Sequence, residues 1–378
     1  MKILGIMTGT SCDGLDAACA EFGGGTWNSL WTKSASYPAA LRKRVLAAQL
    51  PDAKLSLKEW GELHRDVGIW IAEMVKGFLQ RRERPDAIAC HGQTVAHFPA
   101  AHKKGFTIQL ADPSRIAEAT GLTAISNFRD GDMAAGGEGA PLAPRFHRLL
   151  VGGRTGLSIH NLGGISNLTY IGGPSLVLAF DTGPANLWID AATELVTRGK
   201  MKFDRDGKIA RQHAPDLDAV ERGLADPFFS KKPPKSTGRD DFPFEKLLKQ
   251  TRARDGSLVA TATAITVESI ARAYGDFIVK KKLRLATIYF SGGGARNKFV
   301  MDSLRARLSG IRIADLAELG VDARYLEANA FAYFGFLALQ SCPLGGAWTG
   351  VRGWAPSAHI IPGRNWPQIV RRLAGEAI

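Results

Sequence analysis

Apolar runs and polar breaks alternate along this chain with two periods, one of strands and one of helices. Two apolar runs flank the small polar loop Thr8-Gly9-Thr10-Ser11-Cys12-Asp13-Gly14, which predicts that a first strand turns back into a second. Ser56-Leu57-Lys58-Glu59 is a capping box, and Leu57, Trp60, Leu63, Val67, Ile71, Met74, Val75, Phe78 and Leu79 follow at helical spacing. A short buried strand is expected over 86–90, delivering His91-Gly92-Gln93-Thr94 onto a loop. Asp112 and Pro113 read as the N-cap and first residue of another helix that Gly121 stops, with the next strand over 122–126.

The second half repeats the opening. A hairpin is predicted over 156–161 and 165–171 around Gly163-Gly164, and a strand over 176–180 ends at Asp181. Gly183-Pro184 then begins a helix, with Pro near its first position. A helix through Ala262, Ile265, Ile270, Ala271, Tyr274 and Ile278 leads to a strand over 285–290, which opens into Ser291-Gly292-Gly293-Gly294. Between 127 and 144 the chain is rich in Gly, Ala and Pro, which sets the expected lobe boundary: 1–126, then 127–378 with a C-terminal helix able to pack back on the first lobe. Strands alternating with helices, and a hairpin at the head of each half, predict an α/β protein of two similar lobes with a ligand cleft between them.

Composition narrows the partners. The 378 residues are 45% hydrophobic and 22% charged, with a net charge of +13. The basic residues are scattered, no run exceeds three (as at Lys280-Lys281-Lys282), and no basic stripe is interleaved with aromatics. That argues against nucleic acid and for small anionic ligands. No apolar stretch approaches the roughly 20 residues that span a bilayer. The four cysteines, Cys12, Cys19, Cys90 and Cys342, form no C-x-x-C pair or zinc spacing, so reduced thiols in a cytoplasmic protein are expected.

The chemistry gathers at the strand exits. Glycine in the first loop lets backbone amides approach an anion, Thr10 and Ser11 add donors, and Asp13 is available to a magnesium ion. Asp181 follows a buried strand and precedes a helix start, where a carboxylate can act as general base or simply cap the helix. The glycines after Ser291 suit either a nucleoside or a helix-packing turn. Glu327 falls on a helical pattern through Leu326, Ala330, Phe334 and Leu337, and its periodicity suits a solvated surface residue. His91, His97 and His102 lie near one another in sequence but lack a carboxylate or Cys partner for metal geometry. P-loop and G-x-S-x-G motifs are absent.

Seven segments together resemble the anhydro-N-acetylmuramic acid kinase family: Gly9-Thr-Ser-Cys-Asp-Gly14, Cys90-His-Gly-Gln-Thr94, Gly136-Gly-Glu-Gly-Ala-Pro141, Asn161-Leu-Gly-Gly-Ile-Ser-Asn167, Phe180-Asp-Thr-Gly-Pro-Ala-Asn186, Lys235-Ser-Thr-Gly-Arg239 and Ser291-Gly-Gly-Gly-Ala-Arg-Asn297. The resemblance implies the two-lobed actin-like fold of sugar kinases, heat-shock chaperones and actin, with an interlobe active site. It implies ATP and Mg²⁺ as cofactors, a small sugar substrate and a homodimer. On it, Asp181 is the catalytic base. Gly9, Thr10, Ser11, Cys12, Asp13, Gly14, Leu15 and Asp16, with Gly163, Gly164, Gly292, Gly293 and Asn297, bind ATP, and Asp13 meets the metal. His91, Gln93, Thr94, Arg129, Asn186 and Glu327 contact the sugar. Cys12, Asn127 and Ala185 stand where the family commonly carries an aliphatic residue, Asp and Gly. A kinase of the same fold acting on a free N-acetylhexosamine, and an ATP-switched binding module, are the alternatives.

Overall fold

The computed structural model describes residues 1–50, 52–98, 105–351 and 353–375, so His102 lies outside the described residues. The chain divides into two compact units, residues 1–149 with 324–378, and residues 150–323. The first contains strands β1 (Lys2–Thr8), β2 (Gly14–Gly23), β3 (Thr26–Ser36), β4 (Ala87–Cys90), β5 (Gln93–Phe98), β6 (Phe106–Leu110) and β7 (Thr123–Ser126). The second contains β8 (Leu157–Leu162), β9 (Ile165–Ile171), β10 (Val177–Pro184), β11 (Thr287–Ser291) and β12 (Arg312–Asp315), and β13 (His359–Ile361) returns to the first.

Both main sheets have one topology. In the first unit β3, β2 and β1 form an antiparallel meander, then β4 and β7 add in parallel to β1, with β13 antiparallel on the β7 edge. In the second, β10, β9 and β8 form the meander, and β11 and β12 add in parallel to β8. This duplication is the α/β, actin-like arrangement that the resemblance implies. β5 and β6 form a separate antiparallel pair.

The local signals hold where the sequence carries its own stop and start. Ser56 accepts from the Glu59 amide while Glu59 returns the bond, and the helix runs Leu57–Leu79. Asp112 caps Pro113–Thr120, which ends at Gly121 in the left-handed region. Each sheet packs on its own apolar core. In the first unit it includes Leu4, Ile6, Val67, Ile71 and Ile88, and in the second Phe180, Trp188, Ile265, Tyr274 and Phe290.

The unit boundaries fall at 149/150 and 323/324 rather than at 126/127. The Gly-rich stretch after 126 is tied into the first unit. The Asp132 carboxylate accepts from the Gly139 amide (2.7 Å) and the Thr349 hydroxyl (2.7 Å), the Glu138 amide donates to the Thr349 carbonyl, and Gly131 lies so close to Pro356 that a Cβ would sit 2.1 Å from its carbonyl oxygen. Composition marks such a segment as loop; it does not reveal that the loop is pinned. The helix Leu326–Leu339 also packs on β1 of the first unit.

Candidate active site

The first unit carries a polar pocket of about 500 Å³, lined by Gly9, Ser11, Asp13, Gly14 and Asp16 together with Ser34, Arg324 and Glu327. Its loop joins β1 to β2. Thr10, Ser11 and Asp13 are exposed, whereas the Cys12 and Leu15 side chains are buried, so those two can offer a ligand only backbone. Cys12 takes a left-handed φ of 54°, and its amide closes the turn onto the Gly9 carbonyl at 3.0 Å. Among the described residues, none accepts from the amides of Thr10, Ser11 or Asp13. Arg42 braces the outer side of the loop by donating to the carbonyls of Cys12 (2.9 Å) and Ser11 (3.2 Å). Gly14 is required by packing, because a Cβ there would lie 2.2 Å from the Ala35 carbonyl oxygen. Asp16 accepts from Ser34 (2.5 Å) and Arg324 (3.1 Å).

Glu327 reaches this pocket because of a glycine on the sheet. Gly5 of β1 lets the helix Leu326–Leu339 lie directly on the strand, since a Cβ at Gly5 would meet the Ala328 carbonyl oxygen at 2.0 Å. The Glu327 carboxylate is open to solvent on the pocket side, while the surrounding protein desolvates it and raises its pKa against the pull of Arg129. Arg129 donates to the Gly139 carbonyl at 2.8 Å and to His91 Nε2 at 3.2 Å. The buried His91 ring is held neutral, its pKa pushed well down chiefly by burial, and among the described residues its Nδ1 meets no hydrogen-bond partner within bonding geometry.

Not every sequence-expected sugar contact has a side chain to spare. Gln93 is fully buried; it accepts from the Tyr37 hydroxyl (3.0 Å) and donates to the Gly9 carbonyl (3.1 Å), so it braces the loop between β1 and β2. Thr94 is half-buried, and its carbonyl accepts from Gln49 at 2.9 Å.

In the second unit Asp181 lies within β10 rather than at its end, because the strand continues to Pro184 past a bulge between Asp181 and Gly183. The helix begins at Asn186, two residues later than Pro184 suggests. Its first amides are not free for an anion. Ala185 and Leu187 donate to the Gly164 carbonyl (2.9 and 3.1 Å), and Asn186 donates to the Gly163 carbonyl (3.1 Å). Gly163 and Gly164 therefore bind the strand–helix junction through their carbonyls. A tight turn offers its outward carbonyls to whatever packs above it, and sequence alone does not show what that is.

Asp181 is clamped by the segment at 235–237. Its amide donates to the Lys235 carbonyl (3.0 Å), and its Oδ2 accepts from the Thr237 amide (2.8 Å). The carboxyl is half-buried, and burial pushes its pKa up to about 6 against the opposing pulls of that amide and of Lys235. Lys235 is itself buried among the rings of Phe228, Phe277 and Phe180 at 4.6, 5.1 and 5.8 Å, and donates to the carbonyls of Phe228 and Phe229. Burial lowers its pKa to about 8. Its place in the segment Lys235-Ser-Thr-Gly-Arg239 was a signal that chain pattern alone left without a role.

A second pocket of about 510 Å³ lies beside the glycine turn after β11, lined by Asn186, Asp190, Asp204, Gly293, Gly294, Arg296 and Asn297 among others. Gly292, at φ 86°, lets this turn approach β8; a Cβ there would sit 2.5 Å from Asn161 Oδ1. Asn297 caps the helix Lys298–Arg307, and its amide nitrogen donates to the Asp204 carbonyl, so its side chain shapes the pocket wall. Asp190 was not legible from sequence. Burial, then the neighbouring Asp204, raises its pKa to about 6.

The described residues contain no cluster of three or more His, Cys, Asp or Glu arranged to hold a metal. Asp13 and Asp16, however, line one pocket with the loop amides. That donor set suits Mg²⁺, which binds through one or two carboxylates plus phosphate oxygens and water. Among the described residues no helix is long and apolar enough to cross a membrane, and all four cysteines are free thiols.

The profile of the anhydro-N-acetylmuramic acid kinase family matches residues 1–358. A protein of that name from Gloeobacter violaceus is 41% identical over 358 residues, covering 90% of this chain and 93% of its own. Another from Acidithiobacillus ferrooxidans is 37% identical over 389 aligned positions, covering 99% and 95%. A third, from Rhodococcus erythropolis, is 36% identical, covering 98% and 96%. With its duplicated sheet topology, its glycine loop on the first strand and its clamped aspartate on the second sheet, the chain belongs to the anhydro-N-acetylmuramic acid kinase family.

Proposed function

We propose that this protein is an ATP-dependent kinase of cell-wall sugar recycling that opens the 1,6-anhydro bridge of N-acetylmuramic acid and phosphorylates the freed 6-oxygen. The observation that carries the reading is Asp181. A carboxyl whose pKa is raised to about 6 by burial is ionised at neutral pH yet basic enough to take a proton. Water attacks the anomeric carbon and loses a proton to Asp181. The bond from that carbon to the bridging oxygen breaks, the 6-oxygen takes the γ-phosphoryl group, and ADP leaves. The products are N-acetylmuramate 6-phosphate and ADP.

The remaining residues take supporting roles in this scheme. The amides of Thr10, Ser11 and Asp13 hold phosphate oxygens. Asp13 and Asp16 would hold Mg²⁺, which when bound neutralises charge growing on the β- and γ-oxygens. Glu327, Arg129 and His91 face the sugar, and the pocket at Gly293 and Gly294 takes the nucleoside. The proposed setting is the cytoplasm and the proposed assembly a homodimer.

Incubation with ATP and the anhydro sugar in ¹⁸O-water, sampled at early times, tests the scheme. Label is expected at the anomeric hydroxyl and absent from the phosphate. Turnover of free N-acetylglucosamine or N-acetylmuramate without turnover of the anhydro sugar would instead select a simple hexosamine kinase.

A further inference from the structure

Thr182 is the residue that the bulge in β10 leaves without a partner on β9, because Asp181 pairs with Asn167 and Gly183 with Ser166. Side chains alternate across a strand, so one extra residue resets the face on which its neighbours emerge. Gly183 sustains the irregularity at φ 126°, where a Cβ would lie 2.6 Å from the Phe229 ring. The bulge on this edge strand begins directly after Asp181, so the backbone that carries this carboxylate is held only as firmly as the bulge itself.

The Thr182 hydroxyl begins a buried chain of hydrogen bonds. It donates to Ser166 Oγ at 2.7 Å, and Ser166 Oγ lies 2.6 Å from His160 Nε2. His160 Nδ1 lies 3.0 Å from the Tyr274 hydroxyl, which is 2.8 Å from Ser158 Oγ, and Ser158 donates to the Thr169 carbonyl at 3.1 Å. One direction satisfies every member: Thr182 to Ser166, Ser166 to His160, His160 to Tyr274, Tyr274 to Ser158, and Ser158 to the β9 backbone. That direction assigns the proton to His160 Nδ1. All five side chains have 0–1% exposure, inside the apolar core of the second unit. Burial keeps His160 neutral, with its pKa pushed down to about 3, so the chain holds one arrangement across the working range of pH.

We infer that this chain, running from Tyr274 through His160 and Ser166 to Thr182, holds the β10 bulge and thereby aims the Asp181 carboxylate, which makes its members positioning residues for catalysis. A fully satisfied buried polar network fixes one geometry, where an apolar contact of the same shape would tolerate slippage. The inference rests on the reading of Asp181 as the base.

The test compares Thr182→Val, Thr182→Ser, Tyr274→Phe and Asp181→Asn in the full-length protein, with kcat and the KM for ATP measured on the anhydro sugar. Thr182→Val keeps the shape and removes the donor. It is expected to lower kcat at least tenfold while leaving the KM for ATP within twofold. Thr182→Ser, which keeps the hydroxyl, is expected to stay within threefold of the parent kcat, and Tyr274→Phe to lower kcat by less than Thr182→Val. A parent-like kcat for Thr182→Val beside an inactive Asp181→Asn would overturn the inference while sparing the base. Equal loss in the Val and Ser variants would also overturn it, by showing that the methyl packing matters. Normal turnover by Asp181→Asn would remove the base assignment itself. Should Thr182→Val not fold, Ser166→Ala, which cuts the same chain one link further in, is read in the same way.

Discussion

The two sheets share one strand order, yet their opening turns do opposite things. In the first unit the turn from β1 to β2 is long and its tip is exposed, and no described residue accepts from its amides at Thr10, Ser11 and Asp13. In the second unit the turn from β8 to β9 is only Gly163 and Gly164, and its carbonyls hold the amides of Ala185, Asn186 and Leu187. One copy of the hairpin leaves donors for an anion. The other uses acceptors to fix the strand–helix junction just after Asp181. The comparison shows that, by the length of one turn, a duplicated fold can leave backbone amides open in one copy and commit backbone carbonyls to packing in the other.

The sharpest test of that division is at Asp181. Asp181→Asn keeps the shape and the acceptor for the Thr237 amide, so ATP binding should be retained while kcat falls by about 10²–10⁴-fold, the usual contribution of a general base. Rapid-quench turnover beside ATP titration checks both halves. In the parent protein, kcat should fall on the acid side as Asp181 becomes protonated near pH 6.

The same substitution should stabilise the fold. A carboxyl whose folded pKa is about 6 against an ordinary 3.8 prefers its protonated form in the folded state. Its ionisation therefore opposes folding, with a cost that grows as pH rises from about 4 to 6 and stays above that range. Asp181→Asn removes a penalty of roughly 2–3 kcal/mol at pH 8 and almost none at about pH 3. Thermal melts at the two pH values should show a gain only at the higher, and a gain of equal size at both would remove burial of the charge as its cause.

Glycine substitutions in the two turns come next. Gly14→Ala would drive a Cβ into the Ala35 carbonyl at 2.2 Å, whereas at Gly164 the nearest atom is Leu187 Cβ at 4.0 Å. The first should cost about 1–3 kcal/mol by urea unfolding and the second under about 0.5 kcal/mol. Equal costs would mean that the two turns are packed alike. The smallest effect is expected at Arg42→Ala. Its ion pair with Asp13 is exposed, at 3.5 Å, and contributes no more than about 1 kcal/mol. Loss of its bonds to the Ser11 and Cys12 carbonyls should loosen the first loop and raise the KM for ATP two- to fivefold, with kcat unchanged.

Much of this molecule is written locally. The helix Leu57–Leu79 is announced by Ser56 and Glu59, the helix Pro113–Thr120 by Asp112 and Gly121, and each hairpin by apolar runs around small residues. Such signals act within a few residues, where backbone hydrogen bonds and φ preferences are decided. The seven segments also placed Asp181 and the glycine turns in one family.

Other assignments depend on groups far apart in sequence. Glu327 is exposed, as its helical spacing suggests, but it joins the first-unit pocket only because Gly5, more than three hundred positions earlier, lets its helix lie on β1. Gln93 passes as a ligand contact until Tyr37 and the Gly9 carbonyl take up its amide. The bulge at Thr182 and the carbonyls of Gly163 and Gly164 likewise turn an expected strand end and open helix start into a clamped carboxylate and a closed junction. Residue types and their spacing determined which chemistry is present. Only the tertiary structure decided which polar groups are already satisfied, because that depends on desolvation and partners brought together by packing.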